Sequence, residues 1–266
     1  MKASGRARLD TRLVEKGMAE TRATAQALVM AGRVQVGEKR VTKPGAPVRE
    51  TDRISVLPGP RHVGRGAQKL AGALDHFAVD PRGKAAVDIG SSTGGFTEVL
   101  LERGARIVYA VDVGRAQLHE RLKADPRVVP LEGVNARYLE AGSLPEPCGL
   151  ATIDVSFISV LKVMEGVRNV LAPKAPIVCL VKPQFEVGRF KVGRGGIVKD
   201  PALHLEVLIE VAGRMNHDMG FGLLGATASV LQGAEGNREF FLHLAREGAP
   251  VEAGELRVMM ERAITP

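Results

Sequence analysis

The chain has 266 residues, room for one large domain with a small companion, and its 45% hydrophobic and 25% charged residues exclude a disordered, collagen-like or coiled-coil protein. Two cysteines, Cys148 and Cys179, make neither a disulfide framework nor a multi-cysteine zinc site, and six histidines show no ligand-like spacing, so a reducing compartment and no metal are expected. No apolar run follows the charges of MKASGRARLD or approaches the ~18 residues a membrane helix needs, which points to a cytoplasmic protein without a membrane partner.

The net charge of +7 is uneven: residues 1–64 carry 13 Lys and Arg against 6 Asp and Glu, and residues 65–266 carry 24 of each. A small polyanion-binding module on a neutral body would look like this, as would a merely solvated basic surface. The expected division is a basic domain at 1–60, a linker at 61–64 and a body at 65–266.

In the basic segment the spacing predicts a helix from Asp10 to Glu15, with Leu9 and Leu13 on one face, and a break at Gly17. A second helix is predicted from Thr21 to Ala31, where Ala25, Leu28 and Val29 recur at helical spacing before Gly32. Val34, Val36 and Val41 then alternate around a Gly37-Glu38 turn, and Ile54, Val56 and Leu57 supply another short strand. Two short helices leading into a basic hairpin, over Arg8 to Val56, resemble the RNA-binding domain first described in a small-subunit ribosomal protein. That resemblance makes Arg6, Arg12, Arg22, Arg33 and Lys39 candidates for RNA contact.

From Lys84 the rhythm becomes strand, glycine turn and helix. AAVDIG is an apolar run, SSTGG a turn, and FTEVLLERG carries Phe96, Val99 and Leu100 at helical spacing. ARIVYAVDVG is a second strand ending in Asp112, which completes a βαβ unit of a parallel sheet. Further strands are predicted at Arg127–Leu131, Leu150–Val155 and Pro176–Val181. Such sheets bind ligands at the carboxyl ends of their strands.

The turn Asp88-Ile89-Gly90-Ser91-Ser92-Thr93-Gly94-Gly95-Phe96 lacks the G-x-G-x-x-G spacing of dinucleotide enzymes and the Lys-Ser/Thr of nucleotide-phosphate loops. A D-x-G-x-x-x-G-G turn remains, with Asp112 placed 17 residues beyond Gly95. A carboxylate there can accept from both hydroxyls of a ribose, and glycines let backbone approach an amino-acid tail. The arrangement suits S-adenosylmethionine; the candidate contacts are Asp88, Gly90, Ser91, Thr93, Gly94, Gly95, Phe96 and Asp112, with Asn135 after the third strand near adenine. Asp112 could instead be a strand-end cap.

Four scattered polar residues carry the candidate chemistry: Lys69 in GRGAQKL, Asp154 in TIDVSFIS, Lys182 in APIVCLVKPQFE and Glu239 in GAEGNREFF. A lysine after an apolar strand is ordinarily a solvated end. Together, however, the four resemble the Lys-Asp-Lys-Glu tetrad of the FtsJ-like ribose 2′-O-methyltransferases. DIGSSTGGFTEVLLERGA, DVSFIS, VKPQFEVG and EGNREFF are similar to the TlyA family of rRNA methyltransferases, and the similarity reaches the tail Gly254 to Ile264.

The resemblance implies a Rossmann-like, mostly parallel seven-stranded sheet behind a small α+β RNA-binding domain. It implies 2′-O-methylation of cytidine ribose in ribosomal RNA by a monomer that uses S-adenosylmethionine and no metal. SGRARLD before the first helix and ELRVMMERAI at the end match the longer members, which modify the rRNA of both subunits. A departure is Arg61-His62-Val63-Gly64, which has a glycine and no tryptophan. The ribose hydroxyl must lose a proton while oxygen, methyl and sulfur are aligned. Lys182 is the candidate base: burial and the like charge of Lys69 favour a neutral amine, and Asp154 opposes it. Family members are also called haemolysins, so a membrane-active toxin and a noncatalytic RNA-binding module are the alternatives; neither gives a use to the tetrad.

Overall fold

The computed structural model describes residues 5–57, 62–188, 193–233 and 235–265, and divides the chain into two units, residues 1–61 and 62–266. Part of the expected linker, Arg61, lies outside the described residues.

In the first unit, β1 (Ala7–Arg8) runs into α1 (Leu9–Glu15). α2 (Arg22–Met30) is capped by the Thr21 hydroxyl, which accepts from the Thr24 amide. β2 (Val34–Val36) forms a hairpin with β3 (Lys39–Arg40) across Gly37, whose φ of 62° suits glycine. β4 (Pro47–Val48) pairs with β1, and β5 (Ile54–Val56) with β2. Leu9, Leu13, Ala25, Val29, Val34 and Ile54 make one small core, as the apolar spacing predicts. Each helix lies within a residue of its expected bounds.

The second unit starts with α3 (Gly66–Phe77), for which no helix is predicted from the sequence. β6 (Ala85–Ile89), α4 (Gly95–Glu102) and β7 (Ile107–Asp112) form the expected βαβ unit. After the single turn α5 (Glu120–Lys123) come β8 (Val128–Glu132), β9 (Leu150–Ile153), α6 (Met164–Asn169) and β10 (Pro176–Val181). α7 (Pro183–Glu186) and α8 (Pro201–Gly213) precede β11 (Gly222–Ala228), β12 (Phe240–Ala245) and the terminal helix α9 (Ala253–Ile264).

The seven strands lie in the order β11-β12-β10-β9-β6-β7-β8, with β12 alone antiparallel to its neighbours. Counted from β6, this is 3-2-1-4-5-7-6, and the direction of winding reverses between β6 and β9. Both faces are covered, so strand alternation sorts side chains between two cores. Val87, Ile89, Ile177 and Cys179 face the layer of α6 and α8, while Ala86, Val178 and Leu180 face α3 and α4.

Candidate active site

The carboxyl ends of β6 and β9 meet where the winding reverses, the position at which open α/β sheets bind ligands. Gly90 ends β6 with φ 80°, and a Cβ there would collide with the Asp154 carbonyl oxygen, so only glycine lets the turn lie this close to β9. Gly94, at φ 98°, lets the turn enter α4 and packs under Leu122.

Asp112, the last residue of β7, is fixed from two sides: Oδ2 accepts from the Ser92 amide at 2.8 Å and Oδ1 from the Gly114 amide at 2.7 Å. Asp112 is thus a strand-end cap, and each of its oxygens retains a further lone pair that could accept from a ligand. It borders a cleft of about 470 Å³ that Val113, Asn135, Ser156 and Phe157 also line. A narrower cavity of about 140 Å³, lined by Gly64, Gly66, Ser91, Thr93, Gly95 and Phe96, shares Gly90, Ser92 and Asp154 with it. A Cβ at Gly64 would lie 2.8 Å from Thr93 Oγ1, and one at Gly66 3.3 Å from the Phe96 ring, so glycines create the narrow end.

Asn135 lines the wide end while its Oδ1 accepts from the Arg137 amide. Asp88 differs from the other candidate contacts: it is fully buried on the α4 side of β6, does not border either cavity, and accepts from Thr97 Oγ1 and Thr152 Oγ1. Burial pushes its carboxyl up to about 6 against those two hydrogen bonds. It ties β6, α4 and β9 together beneath the turn.

The four tetrad residues form two ion pairs. Lys69, on the first full turn of α3, lies 2.5 Å from Glu239, which immediately precedes β12, and both are buried. Lys182, just beyond β10, lies 2.6 Å from Asp154, just beyond β9, and donates to Ser156 Oγ at 2.7 Å. Gly66, three residues before Lys69, sits against Asp154: a Cβ there would be 3.9 Å from Oδ2. Gly66 and Asp154 both line the narrow cavity, which places the first turn of α3 beside the second pair.

Phe157, not singled out in the sequence as a contact, stands 88% exposed at the cleft with φ 66°. Its ring centroid is 5.2 Å from that of Phe185. Left-handed backbone at an aromatic residue is uncommon and held only by its surroundings.

On the first unit the basic candidates separate. Arg22 donates to the buried carboxylate of Asp10, Arg33 to the Leu57 carbonyl, and Arg12 to Glu15 and the Gly5 carbonyl. Those three also make contacts within the domain, and Arg22 keeps most of its side chain exposed. Arg6 and Lys39 are exposed without a partner among the described residues, and Arg40, Lys43 and Arg53, overlooked in the sequence, are exposed beside them in chain order. Only charge density along the hairpin could have marked these additions.

The antiparallel seventh strand separates this sheet from the all-parallel 3-2-1-4-5-6 order of dinucleotide enzymes, and with the glycine turn, Asp112 and the tetrad it defines a Rossmann-like methyltransferase. Residues 62–246 match the FtsJ-like methyltransferase model and residues 7–54 the S4 domain. The chain is 43% identical over 263 residues to the 16S/23S rRNA (cytidine-2'-O)-methyltransferase TlyA of Mycobacterium tuberculosis, covering 98% of each. It is 44% identical to YqxC of Bacillus subtilis over 95% of this chain and 90% of that one. A solved hemolysin-named protein from Streptococcus thermophilus superposes with a TM-score of 0.73 at 37% identity, covering 98% of this chain and 96% of that one. The chain belongs to the TlyA family of FtsJ-like methyltransferases. Among the described residues no helix is long and apolar enough to cross a membrane.

Proposed function

We propose that this protein methylates the 2′-hydroxyl of cytidines in ribosomal RNA, with S-adenosylmethionine as donor and the RNA of both ribosomal subunits as substrate. The observation that carries the reading is the pair of lysine–carboxylate contacts, of which Asp154 lines both cavities. The near-complete match to a relative named for both 16S and 23S rRNA supports the substrate. Such a protein would work in the cytoplasm, as a monomer.

The cleft suits the donor: Asp112 offers two oriented acceptors for a ribose, Asn135 borders the wide end, and glycine backbone at 90 and 95 leaves room for an amino-acid tail at the narrow one. Bound there, S-adenosylmethionine supplies a methyl group already activated on a sulfonium. The chain's task is then to orient the hydroxyl and take its proton. A neutral Lys182 amine has two N–H donors and one lone pair. Lys182 donates to Ser156 Oγ and lies 2.6 Å from the Asp154 carboxylate, and these two groups hold the nitrogen that would take the hydroxyl proton. Lys69 is held by Glu239 in a buried pair on the first turn of α3. The exposed face of Phe157 offers a stacking surface for an unpaired base beside the cleft, and Arg6, Lys39 and the hairpin cations offer phosphate contacts on the S4 domain.

The test is transfer of labelled methyl from S-adenosylmethionine to isolated subunits and naked rRNA. The expected product is a cytidine whose 3′-phosphodiester resists alkali, because the methylated 2′-oxygen can no longer attack it. Label on a base, or none on RNA, would contradict the reading.

A further inference from the structure

His62, the first residue of the catalytic unit, faces two glutamates of α4. Its Nδ1 lies 3.5 Å from Glu98 Oε2 and 3.7 Å from Glu102 Oε1, and the three atoms lie within 4.8 Å of one another. These separations are too long for hydrogen bonds, and His62 Nδ1 is shielded from solvent with no hydrogen-bond partner. An orphaned buried nitrogen aimed at two carboxylates needs an explanation.

We propose that His62, Glu98 and Glu102 form a binding site for a divalent transition-metal ion, zinc being the best match. Ligand atoms ~2.0 to 2.2 Å from a tetrahedral zinc are about 3.3 to 3.6 Å apart, close to the two distances from Nδ1, and the third separation is no more than 4.8 Å. Imidazole nitrogen with carboxylate oxygen is a donor set that zinc accepts, with water in the fourth position. Glu98 and Glu102 are one helical turn apart, where like charges repel unless a cation lies between them. No Lys or Arg among the described residues forms an ion pair with Glu102.

Glu98 is already held for the task. Arg121 binds its Oε1 and the Val63 amide donates to its Oε2 at 2.7 Å, which fixes the carboxylate as outer partners fix metal ligands elsewhere. Glu102 is half exposed and gives an ion a route in. The site is distinct from the tetrad: none of its three residues lines either cavity, and it would pin His62 to α4 two residues before Gly64, which lines the narrow one. The histidine spacing in the sequence hides it, because its partners come 36 and 40 residues later.

Tag-free full-length protein, freed of metal by chelation, is titrated calorimetrically with zinc chloride without cofactor or RNA, so the outcome does not depend on the methyl-transfer reading. One zinc per chain is expected, with affinity falling at least tenfold in His62→Ala and in Glu102→Gln; the latter changes an exposed side chain and leaves the Glu98 contacts alone. Zinc should also raise the melting temperature of the wild type and not of either variant. Absence of saturable binding, or equal binding by both variants, overturns the proposal. So does stabilisation by His62 that follows pH alone and ignores zinc, since a protonated histidine between two carboxylates would then account for the cluster.

Discussion

Lys69 and Glu239 are 170 residues apart in the chain and 2.5 Å apart in the fold, and each is nearly inaccessible to water. Their contact ties the helix that opens the catalytic unit to the strand that nearly closes it. A buried ion pair adds little net stability over apolar residues of the same size, whereas breaking one leaves a charge stranded. Lys69→Met should therefore cost about 3 to 5 kcal/mol in denaturant unfolding. The double variant Lys69→Met, Glu239→Leu should recover much of that loss while remaining inactive. Additive costs would mean that the two charges do not stabilise one another.

Lys182→Ala removes the proposed base and leaves Asp112, the glycine turn and the S4 domain intact. Methyl transfer should fall by ~10² or more with cofactor and RNA affinities near wild type. Ser156→Ala, which removes the hydroxyl that Lys182 donates to, should lose less. Normal turnover by Lys182→Ala would move the base elsewhere, with Lys69 next in line.

Asp112→Ala should weaken S-adenosylmethionine binding by about 1.5 to 3 kcal/mol, the worth of hydrogen bonds to a charged acceptor. Because Asp112 also holds the Ser92 and Gly114 amides, the neighbouring turns should exchange amide hydrogens faster in this variant. Calorimetric affinity equal to wild type would remove Asp112 from the cofactor site.

Asp88 gives the second unit a pH dependence of defined sign. Its carboxyl is raised by burial to about 6 from an ordinary value of 3.8. The unfolded chain therefore releases this proton first, and the stability associated with Asp88 is full below pH ~4 and lost as pH rises through ~6, about 3 kcal/mol in all. Asp88→Asn should flatten that part of the stability profile between pH 4 and 7. An unchanged slope would show that another group sets it.

Among the basic residues of the S4 domain, Arg6→Ala and Lys39→Ala should each reduce RNA affinity and lower the salt dependence of binding by about one ion. Arg22→Ala should act mainly on stability, since it loosens the clamp that Arg8, Gln26 and the Thr11 amide also form on buried Asp10. Filter binding over a range of salt, read beside thermal melts, separates the two effects.

The glycine turn, Asp112 and the two-helix start of the S4 domain could be read in the sequence because each is a local pattern, complete within about 25 residues. α3 could not be read as easily: GAQKLAGALDHF contains two glycines, which cost a helix about 1 kcal/mol each, although Ala67, Leu70 and Leu74 keep helical spacing. The tetrad was visible as four residues but not as two pairs, since nothing in the linear order says that Lys69 takes Glu239 and Lys182 takes Asp154. Its place in the motif puts Asp88 among the candidate cofactor contacts. Strand alternation instead turns it to the same side as Ala86, toward α4 and away from the cleft.

β12 lies between β10 and β11 although it is the last strand made, so until residues 240–245 leave the ribosome the edge of β10 has no partner. The S4 domain, completed by residue 56, can fold while the body is still being synthesised. Pairings of such high sequence separation are slow to form and leave an apolar strand edge open meanwhile, which makes the nascent body the aggregation-prone stage of its life. Chains cut short before β12 would keep the RNA-facing surface of the first domain while lacking Glu239 and the strand behind it, and would compete for RNA without being able to modify it.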